Sequence, residues 1–348
     1  MGRALPQIMG ALNLDVRTSV DAASWEGILR RLGSNVFHSN EWASFTFHAQ
    51  PNAIPHYFSL NGSNGFECAA LGFVSSSRFN IMRSLWFDAF PAITDHSDRL
   101  ISEFLAAVQG WARDNGIHVF SIGSYGCEGG IESLAQGGCV LEKRFEFSIR
   151  LADRSTDEIW NGLDKSRRNN VKAAQKKEVT ARECSTEEGL QTLRRLQMES
   201  SERIVQRGGQ NIARSFRPGE DPFSVLIDRG VARLFIASLG DRPLSARLCS
   251  SYNGLVYCIS GGHAHDGLKY NSGTLLHWEL IKRFKEEGAR EYNLGGSKYE
   301  AQDEKSPEHG VYVYKKYFGA ECRECANGTK VLRPFSYSLV KTLARIIE

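Results

Sequence analysis

Two segments of the chain share one pattern of apolar and polar positions. Each has apolar residues four apart, as on one face of a helix, then a glycine that closes the helix, then a short alternating strand. In the first segment these are Phe104, Val108, Ala112, Gly116 and the strand at 117–122. In the second they are Leu276, Leu280, Phe284, Gly288 and the strand at 289–294.

Corresponding positions in the two segments are separated by a constant distance, since Leu276 follows Phe104, and Gly288 follows Gly116, by 172 residues. Twice that distance nearly equals the 348 residues of the chain. A fixed period is typical of repeated units, so the pattern favours two halves of similar topology. Chance alignment of two helix–glycine–strand units is the alternative. We place the junction within 151–164, which gives domains at 1–155 and 156–348, the second ending in a helix at 334–348.

Further strands are predicted in both halves, at 66–74, 81–87, 145–151, 232–239, 244–252 and 255–260. Turn signals at Gly240-Asp241 and Asn253-Gly254 join the last three strands into an antiparallel run. A helix and another strand follow this run, which predicts an α+β fold with a mixed sheet. No G-x-G-x-x-G sequence follows an early strand, so a Rossmann fold is not expected.

Composition narrows the class of protein. Hydrophobic residues make up 41% and charged residues 24% of the chain, as in ordinary globular proteins. The formal net charge of +3 means that contact with a nucleic acid must come from a local cluster of basic residues. No apolar segment is long enough to span a membrane and no signal peptide is recognised, so we expect a cytoplasmic protein with reduced cysteines.

The segment 164–177 is unusually basic, with six basic residues among fourteen and one acid. On a helix, Lys165, Arg168, Lys172 and Lys176 would lie on one side. Like charges at this spacing repel one another, and a polyanion such as a phosphate chain or an RNA backbone would relieve the repulsion. A solvated helix face is the alternative interpretation.

A second segment combines a glycine pair with a lysine pair. Gly295 and Gly296 end a strand and would permit a positive φ or close approach of a ligand to the backbone. The polar stretch 298–309 is long enough to form a lid or binding loop. We interpret the aromatic run at 310–319 as a strand, on which Lys315 and Lys316 point to opposite faces, so that one of them faces inward and needs an anionic partner or a role.

Other candidates carry less weight. The loop at 206–222 would either close over a site or lie on the surface without contacting a ligand. Cys322 and Cys325 form a single C-x-x-C without nearby histidines, and His263 and His265 share a strand face, so neither pair favours a metal site. Sequence signatures of serine hydrolases, P-loop ATPases and zincins do not occur.

Three segments, in the same order along the chain, resemble motifs of the Fem-like aminoacyl transferases, which belong to the GNAT-like acyltransferase superfamily. Residues 37–42 are similar to the family's F-x-s-x-x-W, and residues 167–179 to its R-x-x-I-r-k-A-x-K-x-G-V helix. Residues 293–319 are similar to its terminal d-x-G-G … F-K-x-x-F-G, with Tyr314 where the family usually has Phe. The chain departs from the GNAT pyrophosphate loop at 269–274.

The resemblance implies two tandem GNAT-like domains and an N-acyltransferase that forms an amide. It implies an aminoacyl-tRNA donor and an amine acceptor, either a small molecule or a peptide, without a metal or other cofactor. Lys315 would be the catalytic cation. Substrate contacts would come from Arg167, Arg168, Lys172, Lys176, Tyr314, Tyr317, Gly295, Gly296 and Lys298. Two alternatives stay open: acyl-CoA as the donor, and a non-catalytic module that binds RNA or a nucleotide.

Overall fold

The computed structural model describes residues 12–62, 65–77, 82–93, 98–127, 129–208, 216–217, 219–334 and 337. Residues 209–215 and 218 of the predicted loop lie outside the described residues. So does most of the predicted closing helix, and that helix therefore stays a prediction.

The described residues form thirteen strands, ten α-helices and three short 3-10 helices. The strands are β1 (Asn13–Arg17), β2 (Ile54–Gly62), β3 (Gly65–Ser76), β4 (Arg83–Phe87), β5 (Ala92–Ile93), β6 (Val119–Ile122), β7 (Val140–Arg150), β8 (Val179–Glu183), β9 (Ala232–Leu239), β10 (Arg242–Tyr252), β11 (Leu255–His263), β12 (Glu291–Lys298) and β13 (Glu321–Val331). The helices are α1 (Ala22–Arg31), α2 (Asn40–Ala49), α3 (Asp98–Asp114), α4 (Ile131–Gln136), α5 (Thr156–Gly162), α6 (Lys165–Lys176), α7 (Glu187–Gln206), α8 (Phe223–Asp228), α9 (Ser272–Glu286) and α10 (His309–Lys316).

The sheet contains the same arrangement twice. In the first half β1, β2, β3, β4 and β6 lie side by side in that order, and in the second half β8, β9, β10, β11 and β12 do the same. In each half the last two strands are parallel and a long helix, α3 or α9, joins them. This repeated mixed sheet confirms the duplication that the period of 172 residues predicts.

The predicted strands occur, with the largest differences at β7, which begins five residues before the predicted start, and at β12, which ends four residues after the predicted end. The prediction at 232–239 matches β9, and those at 244–252 and 255–260 match β10 and β11. One prediction was wrong: residues 309–316 form the helix α10 rather than a strand. Tyr314 and Phe318 are four residues apart and both rings pack against His277, which is the spacing of one helix face.

The two halves exchange strands at the centre of the sheet. β7 comes before the predicted junction, yet it pairs with β12 of the second half. β13 comes at the end of the described chain, yet it pairs with β6 of the first half. β7 and β13 pair with each other and make the sheet continuous. The domain boundary at residue 155 stays a prediction.

Helices cover both faces of this sheet. One apolar core lies under α1, α2, α7 and α8 and joins the two halves, where the rings of Phe45 and Phe223 stack with their centroids 5.4 Å apart. On the other face, α3 packs on the first half, and α6 and α9 pack on the second. Among the helices of the described residues, none has both the length and the apolar composition of a membrane span.

Candidate active site

The parallel strands β11 and β12 separate soon after they pair. Their register runs from Leu255 opposite Glu291 to Tyr257 opposite Asn293 and goes no further. Gly295 then takes φ +77° while its amide donates to Asn293 Oδ1 at 2.7 Å, which turns β12 away from β11. We call the gap between β11 and β12 that opens beyond Tyr257 and Asn293 the wedge. The sequence had indicated this glycine pair for its conformational freedom.

The side chain of Lys315 reaches into the wedge from α10. Its Nζ donates to Gly296 O at 2.6 Å. A Cβ built on Gly295 would lie 3.5 Å from that Nζ and 3.4 Å from Cys258 O of the facing strand. Because successive helical residues point about 100° apart, Lys316 is exposed while Lys315 is half-buried. The expected inward lysine is therefore present, although a helix places it.

Burial lowers the pKa of Lys315 from 10.5 to about 8, and nearby Glu146 opposes that effect. The ammonium form thus dominates at neutral pH. A cation that is half-buried and partly accessible from a gap between strands is suited to stabilise negative charge that develops on a bound reactant.

β7, which pairs with β12 on the side away from β11, carries a buried ion pair. Arg144 Nη2 lies 2.6 Å from Glu146 Oε1, and the Tyr257 hydroxyl donates to the same oxygen at 3.1 Å. Gly296 leaves room for this pair, since a Cβ there would lie 1.9 Å from Arg144 Nη2. Gly296 therefore has to lack a side chain, and any larger residue would displace the guanidinium or the strand.

A second guanidinium lies beside the wedge on β10. Arg247 donates to Nε2 of His277 at 3.0 Å, and its Nη2 lies 2.6 Å from Nε2 of His263. Burial, together with the charge of Arg247, lowers the pKa of both histidines well below the usual value, so their rings are neutral acceptors. These hydrogen bonds orient Arg247 without neutralising its charge.

The predicted basic segment forms α6. Asp164 caps this helix, since its carboxylate accepts from the Ser166 amide at 2.7 Å. Its basic residues have different surroundings. Arg168 Nη1 donates to Asn161 O and Leu163 O, so this side chain ties α6 to the end of α5. Lys172 and Lys176 are exposed to solvent.

Arg167 is the residue of α6 that meets the predicted aromatic pair. Its guanidinium lies 4.7 Å from the ring centroid of Tyr314 and 5.7 Å from that of Tyr317. Burial lowers the pKa of Arg167, and its Nε is buried without a hydrogen-bond partner among the described residues. We call these three residues the Arg–Tyr platform. It lies next to Lys315 along α10.

Lys298 lies outside this cluster. Its Nζ pairs with Glu308 Oε1 at 2.8 Å, which ties the two ends of the polar stretch 298–309 together. His309 adds a second tie, with Nδ1 3.0 Å from Ala301 O. These contacts hold the ends of the stretch together, and its role as a lid or binding loop stays a prediction.

The comparisons with known proteins concern the fold. Residues 165–316 match the family model described as "Acetyltransferase (GNAT) domain". The structure of FemX superposes with a TM-score of 0.74 over 94% of this chain and 99% of FemX, at 14% identity. A tandem GNAT protein from the clavulanic acid biosynthesis pathway superposes with a TM-score of 0.53 over 93% of this chain and 99% of its own, at 11% identity.

This chain has a tandem GNAT fold. The likeness to FemX confirms the Fem-like resemblance at the level of the fold, and the family match supports an N-acyltransferase. A comparison with curated proteins gave no significant sequence match.

Several residues of this candidate site had no signal in the sequence. Arg144 and Glu146 alternate with apolar residues along β7, which is the pattern of a strand with one solvated face. Only the covering helices of both halves make that face an interior one. Arg247 looked like an ordinary strand residue for the same reason.

Proposed function

We propose that this protein is an N-acyltransferase that transfers an aminoacyl group from aminoacyl-tRNA to an amine acceptor. The observation that carries the proposal is the ammonium of Lys315 in the wedge of a tandem GNAT fold, hydrogen-bonded to Gly296 O. Lys315 also matches the lysine of the Fem-like terminal motif, which supports the same assignment.

In the proposed reaction the nitrogen of the acceptor amine attacks the carbonyl carbon of the donor ester. A C–N bond forms, the C–O bond to the terminal ribose breaks, and the proton lost by the amine balances the one gained by the ribose oxygen. Lys315 stabilises the oxyanion or the departing oxygen as negative charge develops. A preorganised charge of this kind is worth about 3 kcal/mol of the activation barrier.

The Arg–Tyr platform supports a nucleic-acid donor. Unpaired bases at the end of an RNA stack on aromatic rings and on arginine planes. Tyr317 is 41% exposed, so one face of the platform is open to a ligand. Lys172 and Lys176 extend positive charge along α6 and would contact the phosphate backbone.

Acyl-CoA is the second candidate donor, favoured by the match of residues 165–316 to an acetyltransferase domain. Its pyrophosphate would have to bind near the start of α9, where Asn271 makes no side-chain capping bond. The absence of the pyrophosphate-loop motif from residues 269–274 weighs against this donor.

The test offers both donors to the purified protein. Charged tRNA or labelled acetyl-CoA is incubated with a panel of amines, and products are identified by mass spectrometry with and without RNase. We expect an aminoacylated amine from charged tRNA only, and its loss after RNase. Product from acetyl-CoA alone establishes the second candidate. Salt-dependent RNA binding without product from either donor indicates a non-catalytic module and contradicts the proposal.

Two adjacent lysines provide a matched pair of variants. Lys315→Ala should lower kcat about 100-fold, since it removes the proposed cation. Lys316→Ala changes an exposed lysine on the same helix and should leave kcat within about twofold. A Lys315→Ala enzyme with a rate within about threefold of wild type contradicts the assigned role.

A further inference from the structure

Glu146 is placed to act on Lys315 through the strand between them. Gly296, whose carbonyl accepts from Lys315 Nζ, is the cross-strand partner of Glu146 in the pairing of β12 with β7. Glu146 is 1% exposed, and its Oε2 has no hydrogen-bond partner among the described residues. One oxygen of this carboxylate is engaged by Arg144 and Tyr257, while the other is buried and unused.

The groups that face Lys315 come from four neighbouring elements. They are Arg144, Glu146 and the ring of Phe147 on β7, Arg247 on β10, Cys258 on β11 and His277 on α9. Arg144 and Arg247 are cations, and His277 is neutral. Glu146 is therefore the one carboxylate among these described neighbours. Without it, burial and two guanidiniums would all disfavour a charged lysine.

We propose that Glu146 is a positioning residue that keeps Lys315 protonated in the wedge, and that Arg144 limits its effect. The proposal rests on the proposed function for its catalytic meaning. Glu146 does not contact a reactant in this assignment; it acts through the charge state of the lysine. The direction in which Glu146 and Arg144 act on the pKa of Lys315 agrees with this geometry.

The decisive experiment measures the titration of Lys315 without using catalysis. The intact protein is labelled with trace acetic anhydride between pH 6 and pH 10, and the labelling of each lysine is quantified by mass spectrometry. Only a neutral amine reacts, so the midpoint of each curve reports the loss of its proton. Lys316, exposed on the same helix, is the internal control, and the amount of its labelling at each pH should be the same in every variant.

Two variants should move the midpoint of Lys315 in opposite directions. Glu146→Gln should lower it by about 0.5 pH unit or more, which means roughly threefold faster labelling below the midpoint. Arg144→Gln should raise it by a similar amount. Tyr257→Phe disturbs the same cluster but keeps its charges, and should leave the midpoint within about 0.2 pH unit.

A midpoint that stays the same or rises in Glu146→Gln overturns the proposal. If that variant does not fold, Arg144→Gln decides: a midpoint that stays the same or falls overturns it. A structural role alone cannot produce opposite shifts. If the midpoints move as expected but no donor gives product, the inference stands and the proposed function fails. If product forms and the midpoints do not move, the proposed function stands and this inference fails.

Discussion

Replacing Lys315 with methionine should make the protein more stable at pH 7 while it lowers kcat about 100-fold. The fall in the pKa of Lys315 from 10.5 to about 8 corresponds to about 3 kcal/mol against the charged lysine in the folded state. Methionine fills similar space without charge. It also removes the hydrogen bond of 2.6 Å from Lys315 Nζ to Gly296 O, and the loss of this bond costs about 1 kcal/mol. The expected net gain in the free energy of unfolding is about 2 kcal/mol.

The size of this effect changes with pH in a defined window. Below pH 8 the lysine carries a proton in both the folded and the unfolded chain, so its full cost is present. Between pH 8 and pH 10.5 the folded chain has lost the proton while the unfolded chain keeps it, and the stability of the wild type therefore rises with pH. By pH 9.5 it should have regained about 2 kcal/mol relative to Lys315→Met.

Urea unfolding followed by tryptophan fluorescence at pH 7 and pH 9.5 measures these differences, since the chain contains six tryptophans. Lys316→Met is the control, because an exposed lysine should change the stability by less than about 0.5 kcal/mol at either pH. If Lys315→Met is less stable than the wild type at pH 7, or if its advantage is the same at both values of pH, the ammonium is not held at a cost and the reasoning is wrong.

Three further predictions concern transfer and donor binding. The transfer rate of the wild type should fall above about pH 8, because Lys315 loses its proton there. In Lys315→Arg the rate should not fall in this range, because a guanidinium stays charged. An unchanged fall in Lys315→Arg contradicts the cationic role. Gly296→Ala should lower kcat at least about 10-fold, since its Cβ would lie 1.9 Å from Arg144 Nη2. Gly310→Ala on α10 is the control, because the space around Gly310 is open, and its kcat should stay unchanged. Equal kcat in the two variants would show that Arg144 and its neighbours move to make room. The double variant Lys172→Ala/Lys176→Ala should weaken tRNA binding and leave kcat at saturation unchanged. The slope of the logarithm of the binding constant against the logarithm of the salt concentration should fall in magnitude by about 1 to 2. A slope equal to that of the wild type means that the tRNA binds elsewhere.

The repeat and the glycines that end its helices could be predicted from the sequence because they depend on local chemistry. Apolar residues four apart, a closing glycine and an alternating strand each follow from the geometry of one element, and the constant distance of 172 residues needs no tertiary information. The basic helix was also predictable, since Asp164 caps it and its residues favour helix.

The aromatic run shows where local pattern fails. Residues 310–319 alternate well enough for a strand, but α10 forms because Tyr314 and Phe318 pack together on His277 of α9. That partner lies about forty residues away in the sequence, so contact across the fold overrode the local preference.

Local patterns in the sequence predicted the duplicated α+β fold, the basic helix and one inward lysine of the pair Lys315 and Lys316, and the resemblance to the Fem-like motif selected Lys315. Tertiary structure alone decided that β7 crosses to the second half, that Glu146 and Arg144 become an interior pair, and that the wedge opens beside Gly295. The physical reason is that the charge of a buried group and its usefulness depend on what surrounds it. Those surroundings come from segments far apart in the chain, whose contacts no local pattern specifies.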